Sequence, residues 1–134
     1  MNPETKWCNR CEKDLPVSEF VVNKGKARGL STYCRPHMLA AQMESHWKRR
    51  LAFLAEMGGC CVTCGFSDYR ALQVDHVNGG GQEEARRMGA STTSRFYAHV
   101  LAHRDQYQLL CANCNTIKRL VNGESTGPRG LRSQ

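Results

Sequence analysis

Four short pairs of metal-binding residue types mark where chemistry could occur in this chain: Cys8-x2-Cys11, Cys34-x2-His37, Cys61-x2-Cys64 and Cys111-x2-Cys114. A two-residue spacer lets both ligand atoms curl onto one side of a tight turn, and two such turns complete the four ligands of a tetrahedral zinc. The first two pairs predict one zinc site and the last two predict a second. Iron would also suit the all-cysteine set, since spacing does not separate the two metals. Disulfides compete less well. The first residues lack the apolar run of a secretory signal, so reducing cytoplasm is the expected compartment, and disulfides are rare there. Cys60 has no two-residue partner of its own and reads as a buried free thiol beside Cys61. A thioredoxin-like role is disfavoured, because the pairs are matched and neither lies in a βαβ pattern.

A second group of candidates falls between the last two pairs. Asp75 and His76 are consecutive, and Asn115 directly follows Cys114. Taken alone, Asp75-His76 would be a turn cap beside a zinc knuckle, and Asn115 would be a helix N-cap satisfying free backbone amides. His99 and His103 stand at helical spacing, which would let them bind a metal, but they are expected to face solvent or DNA instead. Lys118 and Arg119 follow Asn115 on its helix, where they hold a phosphate or are simply exposed charge.

The elements that must carry these residues can be read from pattern. Residues 1–37 form a small zinc ribbon or knuckle module, with an apolar stretch Leu15–Val22 and a basic turn Lys24–Gly29 between its hooks. Residues 38–58 form a connecting helix. It has no Gly or Pro up to Met57, and Leu39, Met43, Trp47, Leu51 and Leu54 recur on one face, with Lys48, Arg49 and Arg50 near the other. Gly58-Gly59 ends it. Residues 59–121 form the second module: a strand over 71–77, a turn at Asn78–Gly81, a polar mobile loop over 82–94, a helix over 93–103 with Phe96 and Val100 inward, a strand at Tyr107–Leu110, and a helix over 112–121. The tail, 122–134, has almost nothing to bury and is expected to be disordered. The fold class predicted is therefore a small, zinc-stabilised α+β protein.

The segments Cys61-Val62-Thr63-Cys64-Gly65, Val74-Asp75-His76 and Leu109-Leu110-Cys111-Ala112-Asn113-Cys114-Asn115 together closely resemble the HNH (ββα-metal) endonucleases. The resemblance is to the phage type whose last motif residue is Asn, the recombination endonuclease VII type, and it covers residues 60–121. It implies that Asp75 and Asn115 are oxygen ligands of one catalytic Mg2+ or Mn2+, and that His76 is the general base for an attacking water. Hard oxygen ligands suit Mg2+, and an imidazole with a pKa near ~6.5 is suited to take a proton near neutral pH. It further implies hydrolysis of DNA phosphodiesters to 5′-phosphate and 3′-hydroxyl ends. Two departures stand out. Gln106 takes the place of the middle Asn of the motif, and 38 residues separate His76 from Asn115.

Composition sets the limits. A chain of 134 residues holds one ordinary domain or two small ones, which excludes a barrel enzyme. Nineteen Lys and Arg against twelve Asp and Glu give a formal charge of +7, and seven zinc-bound thiolates with two Zn2+ would lower it to about +4. The balance still favours a polyanionic partner, DNA in this reading. No apolar run approaches the ~20 residues of a membrane span. Two functions are therefore expected from the sequence: an HNH-type endonuclease acting on DNA in the cytoplasm (the host's, if phage encoded), or a non-catalytic two-zinc nucleic-acid-binding protein. A double-strand cut would need two active sites, which the connecting helix could supply by pairing two copies.

Overall fold

The computed structural model describes residues 4–88 and 94–124, with the side chains of Gln82 and Ala85 excepted. Among these residues the protein is a small α+β molecule built from three antiparallel strand pairs and four α-helices. The chain divides inside its longest helix into two compact units, Met1–Lys48 and Arg49–Gln134.

In the first unit, β1 (Thr5–Cys8) pairs with β2 (Lys13–Pro16), with Cys8 opposite Lys13 across the knuckle turn. The turn closes when the Glu12 amide donates to the Cys8 carbonyl at 2.8 Å. β3 (Phe20–Val22) pairs with β4 (Leu30–Cys34), and the register shifts between its two ends. Ser31 is buried at that irregularity, accepting from the Val21 amide at 3.1 Å and donating to the Tyr33 carbonyl at 2.8 Å. Its hydroxyl thus satisfies backbone groups that a regular ladder would have paired. Among the described residues, the buried hydrophobic cluster of the unit is Cys8, Phe20 and Cys34. Two of these three are predicted zinc ligands, so little apolar surface is left to hold the unit together.

Helix α1 runs Arg35–Glu56 and begins immediately after Cys34. Pro36 is tolerated because it falls in the first turn, where its missing N–H would lack a helical partner anyway. A two-pronged pair from Arg10 to Glu44, at 3.0 and 2.8 Å, ties the knuckle to this helix within the first unit. The predicted apolar stripe is only partly used. Leu39, Met43 and Leu51 are exposed, whereas Phe53 and Leu54 are buried. The helix turns its last two turns, not its whole stripe, into the core of the second unit. Gly58 and Gly59 stop it with φ of 106° and 69°, values at which a side chain would be strained. No helix among the described residues is long and apolar enough to cross a membrane.

The second unit is organised on β5 (Leu72–His76) and β6 (Tyr107–Cys111), paired in unbroken register from Leu72 opposite Cys111 to His76 opposite Tyr107. Helix α4 (Ala112–Val121) follows β6 without a linker. Between the strands lie α2 (Gly81–Met88), α3 (Ser94–Ala102) and a 3-10 turn at Arg104–Gln106. The mobile loop expected over 82–94 is thus corrected as far as Met88. Glu83 and Glu84 in the first turn and Arg86 and Arg87 in the last complement the helix dipole at both ends, which offsets the polar composition. Residues 89–93 of that loop, and 125–134 of the expected disordered tail, lie outside the described residues, while Asn122–Glu124 form a turn closing α4.

Leu72, Val100, Leu109 and Leu110 are the most deeply buried apolar residues of this unit, and Phe53 stacks on Tyr97 with ring centroids 4.2 Å apart. Arg50 is not a free cation on the outer face of α1 as expected. It is half-buried and donates to the Leu72 carbonyl at 2.6 Å, joining α1 to the outer end of β5. A charge-assisted bond of this kind contributes about 1.5–3 kcal/mol. Arg50→Ala is expected to lower the unfolding free energy by that amount in urea titration with zinc held bound, and no change would remove the anchoring role.

Candidate functional site

The two metal-ligating clusters assemble from the predicted hooks. Cys8, Cys11, Cys34 and His37 bring one ligand atom each to within 4.8 Å of one another, and so do Cys61, Cys64, Cys111 and Cys114. In the first, the Cys11 and Cys34 sulfurs are 3.4 Å apart and His37 Nδ1 lies 3.1 Å from Cys11 and 3.3 Å from Cys34. In the second, the Cys64 and Cys111 sulfurs are 3.7 Å apart. Bonds of ~2.3 Å at the tetrahedral angle place sulfurs ~3.8 Å apart, so both clusters have the dimensions of a zinc site.

Their electrostatics point the same way. Burial resists ionisation of Cys8, but backbone amides of Cys34, Cys11 and Arg10 and the His37 side chain outweigh it and bring the thiol down to about 5. Burial and the neighbouring Cys34 and Cys8 thiols then push Cys11 up to about 12. In the second cluster, burial likewise opposes Cys61, yet amides of Cys111, Cys64 and Thr63 bring it to about 6, while the Cys111 and Cys64 side chains push Cys114 up to about 12. Within each cluster, then, one thiol is shifted down and another up, and a divalent cation bound there would have to displace the proton of the raised one. Cys60 belongs to neither cluster. It is a free thiol, half-buried rather than buried.

Beside the second cluster, β5, β6 and α4 bring the other candidates together. Asp75, His76 and Asn115 line one cleft of about 600 Å3, with Gly81 and Glu84 of α2 and Arg119 of α4. Consecutive strand residues point to opposite faces, so Asp75 and His76 meet different partners. Asp75 is buried and its Oδ2 accepts from Gln108 Nε2 at 2.8 Å and from Lys118 Nζ at 2.6 Å. Lys118 also donates to the His76 carbonyl. Lys118 is therefore not the exposed or phosphate-facing charge expected; its side chain is 17% exposed and is spent on Asp75 and the backbone.

Asn115 does not cap α4. Cys111 does, its sulfur accepting from the Cys114 amide at 3.4 Å, and Asn115 sits within the first turns of the helix. Its Nδ2 donates to Gln73 Oε1 at 2.7 Å, while its Oδ1 is buried with no hydrogen-bond partner. A buried acceptor without a partner costs about 1–3 kcal/mol. Asn115 and Asp75 are both among the residues that line the cleft.

Within the same cleft, His76 Nε2 lies 2.7 Å from Glu84 Oε2. The remaining Glu84 oxygen accepts from the Tyr107 hydroxyl and lies 3.3 Å from His99 Nε2. Burial opposes the charge on Glu84, but Tyr107, His76 and His99 outweigh it and hold its carboxyl below the ordinary range. Burial and the Glu84 carboxylate together push the Tyr107 phenol upward. His99 is thereby corrected from a solvent-facing residue to a partner of Glu84, and His103 turns its Nδ1 to the His99 carbonyl at 2.8 Å.

Sequence reasoning missed Glu84, Tyr107 and Gln108. Gln108 could have been found: it stands directly opposite Asp75 in the strand pair. Gln106 meets this region only through its carbonyl, which accepts from the Val77 amide at 3.0 Å, and its residue is exposed. No family model matches the chain, and neither a curated protein nor a solved structure is detectably similar to it.

Proposed function

We propose that this protein is a zinc-stabilised, Mg2+-dependent DNA endonuclease of the HNH type. The observation that carries the reading is that Asp75, His76 and Asn115 line one cleft, with Asn115 keeping a buried Oδ1 that has no partner. Asp75 and Asn115 would hold the ion. Once bound, a divalent cation of this kind stabilises charge on the scissile phosphate and on the leaving 3′ oxygen. His76 accepts the proton of the attacking water. Arg119, exposed on the cleft wall, faces the substrate backbone, and the formal charge of +7 favours a polyanion.

A specific observation supports a second reading, a non-catalytic nucleic-acid-binding protein. The carboxylate of Asp75 is already bonded to Lys118 and Gln108, as a purely structural acid would be. Plasmid cleavage by the zinc-loaded protein separates the two. Nicks or breaks that require added Mg2+ or Mn2+ and fall by about 100-fold or more in His76→Ala are expected, the range for loss of a general base. Retained zinc and DNA binding without cleavage under either ion would favour the binding protein.

A further inference from the structure

We propose that Glu84 is the positioning residue for His76, fixing the imidazole with Nε2 toward the carboxylate and Nδ1 toward Gly81. This deepens the endonuclease reading and rests on it. Three observations converge. The Glu84 carboxylate is 2.7 Å from His76 Nε2, so in a neutral imidazole the proton sits on Nε2 and Nδ1 is left as the bare acceptor. Glu84 is itself fixed, 8% exposed, with Tyr107 donating to its other oxygen and His99 beside it. Finally, the Nδ1 edge of the ring packs against Gly81, where only glycine fits: a Cβ there would stand 2.9 Å from Nδ1 and 3.3 Å from Cε1.

The consequence is a division of labour along α2. Gly81, its first residue, puts no side chain against Nδ1, and Glu84, one turn on, holds the opposite edge of the ring. The groups facing His76 are Glu84 from α2, the Tyr107 ring from β6 at 4.7 Å between centroids, and Lys118 from α4 on its backbone carbonyl. Of these only Glu84 bonds the ring nitrogen. A carboxylate behind an imidazole sets its tautomer and orientation, as it does in hydrolytic triads and behind metal-bound histidines. The carboxylate is not a proton relay here; it stays ionised while His76 takes the proton.

Two measurements test this. In the unmutated, zinc-loaded protein, long-range proton–nitrogen correlation of the His76 ring at a pH where it is neutral should show the proton on Nε2. A proton on Nδ1 overturns the proposal without touching the question of cleavage. In plasmid cleavage, Glu84→Gln should lower kcat by about 100-fold with KM within about twofold, because orientation is lost and DNA binding is not. Glu84→Asp, which keeps the charge on a shorter arm, should recover part of the loss. A kcat for Glu84→Gln within twofold of the unmutated protein, while His76→Ala is inactive, overturns the positioning role and leaves the endonuclease intact. Undiminished cleavage by His76→Ala overturns the role of His76 as base, whatever the ring tautomer.

Discussion

Removing zinc is expected to unfold the first unit and leave the second partly packed. Among the described residues, the first unit buries one large apolar side chain, Phe20, together with Cys8 and Cys34. Burying a phenyl ring contributes about 3 kcal/mol at most, whereas ordering each residue costs on the order of 1–2 kcal/mol. A structural zinc contributes about 10–16 kcal/mol to folding in small peptides, so the metal decides whether this unit exists. The second unit differs: Cys61 and Cys111 share one core with Phe53, Leu54, Leu72 and Val100. Amide exchange in the whole chain is the measurement. With chelator, protection over β1–β4 should fall to that of an unfolded chain while β5 and β6 retain part of theirs; in Cys8→Ser, which leaves the four-cysteine cluster intact, β1–β4 should lose protection and β5 and β6 should keep theirs. Persisting protection over β1–β4 would show that the hairpins hold without metal. The direction with pH is set by the thiols. Zinc must displace protons from Cys11 and Cys114, both held at about 12, so loading weakens as pH falls.

How much of this was legible in the sequence depends on how local each signal was. The four hooks were, because a two-residue spacer is itself the turn. Helix α4 was, because Cys111 both ends a strand and caps the helix after it. Helix α2 was not: Gly79-Gly80 before it, Gly81 at its start and its polar composition all resemble a loop, and its only signal is the placement of acids before bases. The apolar stripe of α1 misled because period shows which residues share a face and not which part of that face is covered; Leu39 and Met43 are exposed, and Phe53, off the predicted stripe, is buried. Glu84 and His76 are brought together by a turn between a strand and a helix whose geometry no pattern announces. Lys118 was closer to reach. It lies three residues beyond Asn115, on the same side of α4, and a residue on that side must meet what β5 presents.

Asp75→Asn is expected to cost both stability and cleavage, and the two losses can be separated. The pair it forms with Lys118 is 2.6 Å long and its side chains are 8% and 17% exposed. Removing one partner of a buried pair leaves the other charge uncompensated, typically at about 3–5 kcal/mol. Here the His76 carbonyl still accepts from Lys118, and Gln108 still bonds an oxygen on residue 75, so the low end of that range applies. Replacing Lys118 as well, in Asp75→Asn/Lys118→Met, removes the stranded ammonium and should return the stability to within about 1 kcal/mol of the original in urea titration. Cleavage should not return. A carboxylate that serves as a ligand contributes several kcal/mol of charge stabilisation, so the double variant should stay about 1000-fold down with Mg2+ present. If the double variant cuts plasmid like the unmutated protein, the carboxylate serves Lys118 alone and the binding-protein reading gains. If instead stability is restored and cleavage is not, the work of Asp75 lies in the cleft, with Lys118 as the cation that balances its charge.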